Sequence, residues 1–166
     1  MKSPETPFAG QAKAAWWIYA VITGCLGAFG LVLAFLHDAS WLAPLMGLLW
    51  EPFIGQAPLP ENLARLLDFV LGILGAVMLS WSVALASLGW QALRRGQTWA
   101  WRACLVAALA WFVIDESFSI YFGVTVNALG NLVFLAGLLV PLAMVRPKAA
   151  GLLNARLVPR PEETGA

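Results

Sequence analysis

Charge is scarce in this chain. Lys, Arg, Asp and Glu together make up 11% of its 166 residues, where a soluble domain carries about a quarter. Too little polar surface is therefore available to clothe a water-soluble exterior. The net charge of +1 gives no electrostatic footprint for nucleic acid, so no nucleic-acid partner is expected. Histidine occurs once, as His37, and a zinc site built on it would need carboxylates from separate segments. The two cysteines, Cys25 and Cys104, lie in different apolar stretches, with no metal-ligand or redox spacing, and read as small packing residues. No nucleophile with its base, phosphate-binding loop or haem pair is present, so no cofactor and no metal are expected. The alternation of a barrel strand is also missing.

What the chain has is apolar length: 61% of it is hydrophobic. About 20 apolar residues span the roughly 30 Å hydrocarbon layer as a helix, and four windows do so, at about 16–36, 66–90, 99–121 and 124–145. The fold class this predicts is all-α: a four-helix transmembrane bundle with a short outer interfacial or lid helix. It divides the chain into an N-terminal segment 1–15, a four-span domain 16–146 holding an outer segment 37–62, and a tail 147–166. Lys2, Lys13, Arg94, Arg95, Arg102, Arg146, Lys148, Arg156 and Arg160 all fall on one side of four spans, and only Arg65 falls on the other. The positive-inside rule makes the first side cytoplasmic, which puts both termini there in a bacterial inner membrane. Trp16, Trp17, Trp90, Trp99 and Trp101 mark the inner boundary, and Trp41, Trp50 and Tyr121 the outer one.

The run Ile22-Thr23-Gly24-Cys25 resembles a lipoprotein cleavage box. The apolar stretch continues through Leu36, however, where a lipidated cysteine is usually followed by polar sequence, so an uncleaved span is the reading. Between His37 and Asn62 the segment is too apolar for an ordinary loop, yet Trp41–Trp50 is too short to cross. Capped by Ser40 and broken by Pro52 and Gly55, it reads as a short helix in the interface or over the bundle. Beyond Pro147, Leu152, Leu153, Leu157 and Val158 are placed on the inner interface ahead of a disordered end.

Helices in lipid meet through small residues and interhelical hydrogen bonds. Gly72, Ala76, Ser80 and Ala84 recur every four residues in the second span, and Ala20, Gly24 and Ala28 do so in the first. These faces are expected to pack together within one chain, with a homo-oligomer contact as the alternative. Gly123 is placed at the centre of a tight turn between the third and fourth spans, where it can adopt backbone angles that other residues resist. Residues equidistant from that pivot lie level. Asp115 then faces Asn131, and Ser119 faces Asn127, as a polar ladder reaching about 12 Å below the turn at 1.5 Å per residue.

Asp115 leads the functional candidates, because an acid below the headgroups usually faces a bundle interior or a wet cavity. Its bland alternative is a tie between two helices through the asparagines. Glu116, about 100° further round, is expected to reach the outer interface and water. His37, beside Asp38, is expected to be solvated, with an acid-base or ligand role as the sharper reading. Glu61, Arg65 and Asp68 read as an exposed ion-pair run, and Arg65 is the sole outer cation that a buried acid could meet. Trp81 and Trp111 are placed to stack on a flat ligand or to fill the core. The run Ile114–Phe122, IDESFSIYF, resembles the paired-acid and aromatic stretch of membrane-embedded lycopene cyclases. The likeness covers that one segment, with Asp where the family has Glu, and it implies no catalytic role here.

The expected function is binding of a lipophilic or amphiphilic molecule, or a lipid, at an outer polar site. Asp115, Ser119, Asn127 and Asn131, with Glu116 and His37, would meet the polar end, while Trp111, Phe118 and the Trp41–Trp50 lid cover the apolar part. Two alternatives stand: an accessory subunit of a larger membrane complex, and an enzyme acting on a lipid or isoprenoid through Asp115 or Glu116. Membrane lipids are the partners common to all three.

Overall fold

The structure, a computed structural model, describes residues 7–55, 60–95 and 97–145. Lys2, Arg146, Lys148 and the tail with its predicted interfacial leucines lie outside the described residues. Five α-helices follow one another: α1 Pro7–Phe35, α2 Ala43–Ile54, α3 Glu61–Gly89, α4 Thr98–Tyr121 and α5 Thr125–Met144. Trp90–Arg94 continues α3 as one π-helical turn, and no strand occurs among the described residues. Four helices are long and apolar enough to cross a membrane, over Gln11–Phe35, Glu61–Leu93, Thr98–Tyr121 and Thr125–Met144. The all-α architecture with four spans and one short helix stands as the sequence predicts. The main differences in extent are at two N-termini: α1 starts at Pro7, nine residues before its apolar window, and α3 at Glu61, five before, where Glu61 and Arg65 bond to each other along the first turn.

Why the bundle holds together is clearest in α1 and α3, its most extensive helix pair. On α3 the inward positions are Leu71, Gly75, Met78, Ser82, Leu85, Gly89 and Ala92, spaced alternately by four and three residues. That 3.5-residue period keeps one seam against a partner helix over many turns. A Cβ built on Gly75 would meet the Gly30 carbonyl oxygen and lie 2.8 Å from the Ala34 Cβ, so the two backbones touch only because both positions are glycine. The expected pair of spans is thus in contact within one chain, but through a neighbouring face. Gly24, Ala28, Ala76, Ser80 and Ala84 are exposed. A strict four-residue repeat drifts round the helix and leaves the seam within a few turns, whereas the three-and-four alternation stays on it.

Tyr19 sits at the centre of the other half of the core. Its ring lies against Gly89, and it belongs to a buried cluster with Leu85, Cys104, Leu138 and Leu142 that joins α1, α3, α4 and α5. The π turn shifts the phase of α3 so that both Ala92 and Leu93 enter this cluster. Trp101, expected in the interfacial belt, is instead half-buried, and its Nε1–H donates to the Leu142 carbonyl at 2.9 Å. Trp41, Trp99 and Tyr121 keep exposed positions near helix ends, and Trp17 is exposed about three turns inside α1.

At the opposite end, α2 lies across the bundle. Leu42 and Met46 pack with Leu33 of α1 and Leu71 of α3, and Phe53 stands 5.4 Å from Phe122 in the α4–α5 turn. The helix differs from its expected extent at the N-terminus and at Pro52, while Gly55 ends it as expected. Its N-cap is Leu42 with no side-chain cap, and Pro44 occupies the first turn, where a missing N–H costs nothing. Ser40 contributes only its carbonyl, to the Ala43 N–H. Pro52 is carried inside the helix, which ends at Gly55 with φ 61°.

Candidate functional site

Gly123 adopts φ 73° between α4 and α5, as the hairpin requires of a residue without a Cβ. The turn brings the polar residues of the two helices together. Asn127 Nδ2 donates to Ser119 Oγ at 2.7 Å and to Asp115 Oδ1 at 3.5 Å. Asn131 Nδ2 donates to Glu116 Oε2 at 3.4 Å. Ser119 Oγ–H in turn donates to the backbone carbonyl of Asp115 at 2.8 Å. Ser119 and Asn131 are 4% and 5% exposed, while Asp115, Glu116 and Asn127 are half-buried.

One rung of the expected ladder, Ser119 with Asn127, is present. The other is rearranged: Asn131 bonds Glu116, and Asp115 reaches Asn127. Glu116, expected to turn toward water, is drawn to α5 because its longer side chain spans the gap to Asn131 from the adjacent position. His37 is not part of this group. Its Nδ1 lies 3.0 Å from the Leu33 carbonyl and its Nε2 lies 3.0 Å from Asp68 Oδ1, so it ties the end of α1 to α3 and is not simply solvated. Asp68 accordingly leaves the expected run, and Arg65 bonds Glu61 alone at 2.7 Å. Among the described residues these two contacts are the ones with ion-pair geometry, and neither includes Asp115 or Glu116.

The aromatic surroundings are only partly those expected. Trp111, one turn below Asp115, packs on Trp81 of α3 with ring centroids 5.3 Å apart at 45°. Both tryptophans therefore serve the α3–α4 contact, which is the core-filling alternative. Phe118 does not cover the polar group. It is 60% exposed and stacks on Phe122 at 6.3 Å. Among the described residues no group of three His, Cys, Asp or Glu side chains converges as a metal site would require.

A carboxylate offers about four lone-pair sites, and the hydrogen bonds that the Asp115 and Glu116 side chains accept are single and long. Most of their acceptor capacity is free for a donor brought from outside. The bond between Ser119 and Asn127 is the short interhelical one, and a double-mutant cycle with Ser119→Ala and Asn127→Ala is expected to show coupling of about 0.6 kcal/mol, as for such pairs in lipid. Unfolding titrations in mixed detergent check it, and additive single effects would contradict the bond.

Four apolar spans arranged as one helical bundle define a multi-pass membrane protein. Comparisons with protein-family models, curated proteins and solved structures find no match, so no relative's activity bears on the site.

Proposed function

We propose that this protein binds an amphiphile whose polar end carries a hydroxyl or amine, held at Asp115 and Glu116 beside Ser119, Asn127 and Asn131. The observation that carries the reading is the pair of half-buried acids whose side chains each accept one long bond from an asparagine amide. Asp115 lies six residues inside the end of α4, about 9 Å along the helix axis. An ionised acid without a partner costs about 2.5 to 3.5 kcal/mol at the centre of a span and less at this depth, and a bound donor would offset part of that cost. The location that suits this function is a bacterial inner membrane with both termini cytoplasmic and the polar group near the outer face. Lys13, Arg95 and Arg102 at one end of the bundle, against Arg65 at the other, support that orientation.

Native mass spectrometry of the protein extracted in mild detergent tests the proposal. A co-extracted lipophile bearing a donor group is expected. Asp115→Asn should lower its occupancy about tenfold or more, since a charge-assisted bond is worth about 1.5 to 3 kcal/mol, while helix content stays unchanged. Equal occupancy in the variant would remove the central residue of the proposal.

A second reading is an accessory subunit of a larger complex. Gly24, Ala28, Ala76, Ser80 and Ala84 are exposed on α1 and α3, where another helix could approach closely. A stoichiometric protein partner in the same spectra would favour this reading over the first.

A further inference from the structure

A groove of about 210 Å³ opens between α1 and α3, lined by Leu31, Ala34, Phe35, Gly72, Ala76 and Leu79. It lies on the opposite side of α1 from the polar group. On that helix α2 and α5 pack on Phe29, Val32, Leu33 and Ile22, whereas Leu31, Ala34 and Phe35 point about 160° away at 100° per residue. The volume is below the roughly 300 Å³ at which compact small-molecule pockets begin. Its lining is almost wholly apolar, and it runs along the helices. Those features suit a stretch of extended hydrocarbon chain.

The end of the groove is charged. Arg65 and Asp68 lie on the same face of α3 as Gly72, Ala76 and Leu79, at offsets of three, seven, eleven and fourteen residues from Arg65. Gly72 is about 6 Å and Leu79 about 16 Å below Asp68 along the axis. His37, two residues beyond Phe35, completes the rim through its contact with Asp68. The rim thus holds Glu61 with Arg65 and Asp68 with His37, both signs side by side. Arg65 uses one guanidinium nitrogen on Glu61, which leaves most of its five N–H donors free. The Asp68 and Glu61 carboxylates keep free lone pairs.

We propose that this groove is a binding site for a phospholipid with a phosphoethanolamine headgroup. One acyl chain lies along Gly72, Ala76 and Leu79, the phosphate meets Arg65, and the ammonium meets Asp68 and Glu61. A purely anionic headgroup suits the rim less, because the two acids offset its positive charge. A choline headgroup lacks the N–H donors that the carboxylates would take up. The site is independent of the Asp115 group, and Asp115→Asn leaves it intact.

The test is native mass spectrometry of the full chain with phosphatidylethanolamine, phosphatidylcholine and phosphatidylglycerol added in turn. The unaltered protein is expected to retain phosphatidylethanolamine at least fivefold better than either of the others. Gly72→Leu fills the groove, and because a Cβ at Gly72 meets nothing within 4 Å, the bundle is expected to remain folded. This variant should lose the lipid about tenfold. Arg65→Gln, which leaves the groove open, should abolish the preference among headgroups, and circular dichroism checks that both variants stay helical. Equal retention of the three lipids by the unaltered protein overturns the proposal, as does retention unchanged by Gly72→Leu. A dimer that Gly72→Leu dissociates would show that a second copy occupies the groove and would overturn it too.

Discussion

Replacing Tyr19 with alanine is expected to cost about 3 to 5 kcal/mol, the range for emptying a large buried ring. The side chain is fully buried where α1, α3, α4 and α5 meet. Gly89 leaves the space its ring fills, and a glycine has no side chain with which to close over the void. Lipid outside the bundle does not enter a cavity enclosed by four helices, so the lost dispersion contacts are not replaced. Tyr19→Phe separates packing from polarity. The hydroxyl is buried with no oxygen or nitrogen partner, beside the Cys104 thiol, which is a weak partner at best. Removing it is expected to be neutral or to stabilise by about 1 kcal/mol, because an unsatisfied buried hydroxyl carries a desolvation cost. Reversible unfolding in mixed detergent measures both. A phenylalanine variant as unstable as the alanine variant would show that the hydroxyl, and not the ring, holds the core.

Gly75→Leu is expected to be the other large loss, about 3 kcal/mol, the upper end for overpacking. Its Cβ would meet the backbone of Gly30 as well as Ala34. A flexible side chain can turn aside from a new methyl group, but a helix backbone moves only as a unit, so α1 and α3 must separate along the seam. Gly72→Leu, one turn away on the same helix, makes no such contact and is expected to lie within about 0.5 kcal/mol of the parent, as surface substitutions do. The pair distinguishes backbone contact from any general effect of bulk on α3. Equal stabilities for the two variants would contradict the close approach of the two helices.

The polar hairpin is largely legible in the sequence. Gly123 as pivot, with Asp115, Ser119, Asn127 and Asn131 spaced four apart on facing helices, follows from the 3.6-residue period and equal depth about a turn. The exchange of Asn131 from Asp115 to Glu116 is not legible, because it depends on side-chain length across a gap that helical spacing does not define. The His37–Asp68 contact is equally hidden. It joins residues 31 positions apart, and only the packing of α1 on α3 brings their ends together. The small-residue faces show a subtler limit. A four-residue repeat of glycine and alanine is conspicuous in the letters, yet Gly27, Gly30 and Gly75 make the contact. Small residues allow close approach but do not say which of several small faces turns inward.

Four helical crossings of a membrane follow from the order of residues alone, because scarce charge, apolar length and the need to satisfy backbone hydrogen bonds inside each span leave no other solution. That Asp115, Ser119, Asn127 and Asn131 share the α4–α5 polar hairpin follows in the same way, from local periodicity and one tight turn, whereas the entry of Glu116 does not. Which faces of α1 and α3 meet, where α2 rests, and that His37 belongs to the charged rim and not to the acid pair are fixed by packing in three dimensions. Those are choices among near-equivalent helix rotations. They are settled by the summed fit of many weak contacts across the bundle, which no single stretch of residues encodes.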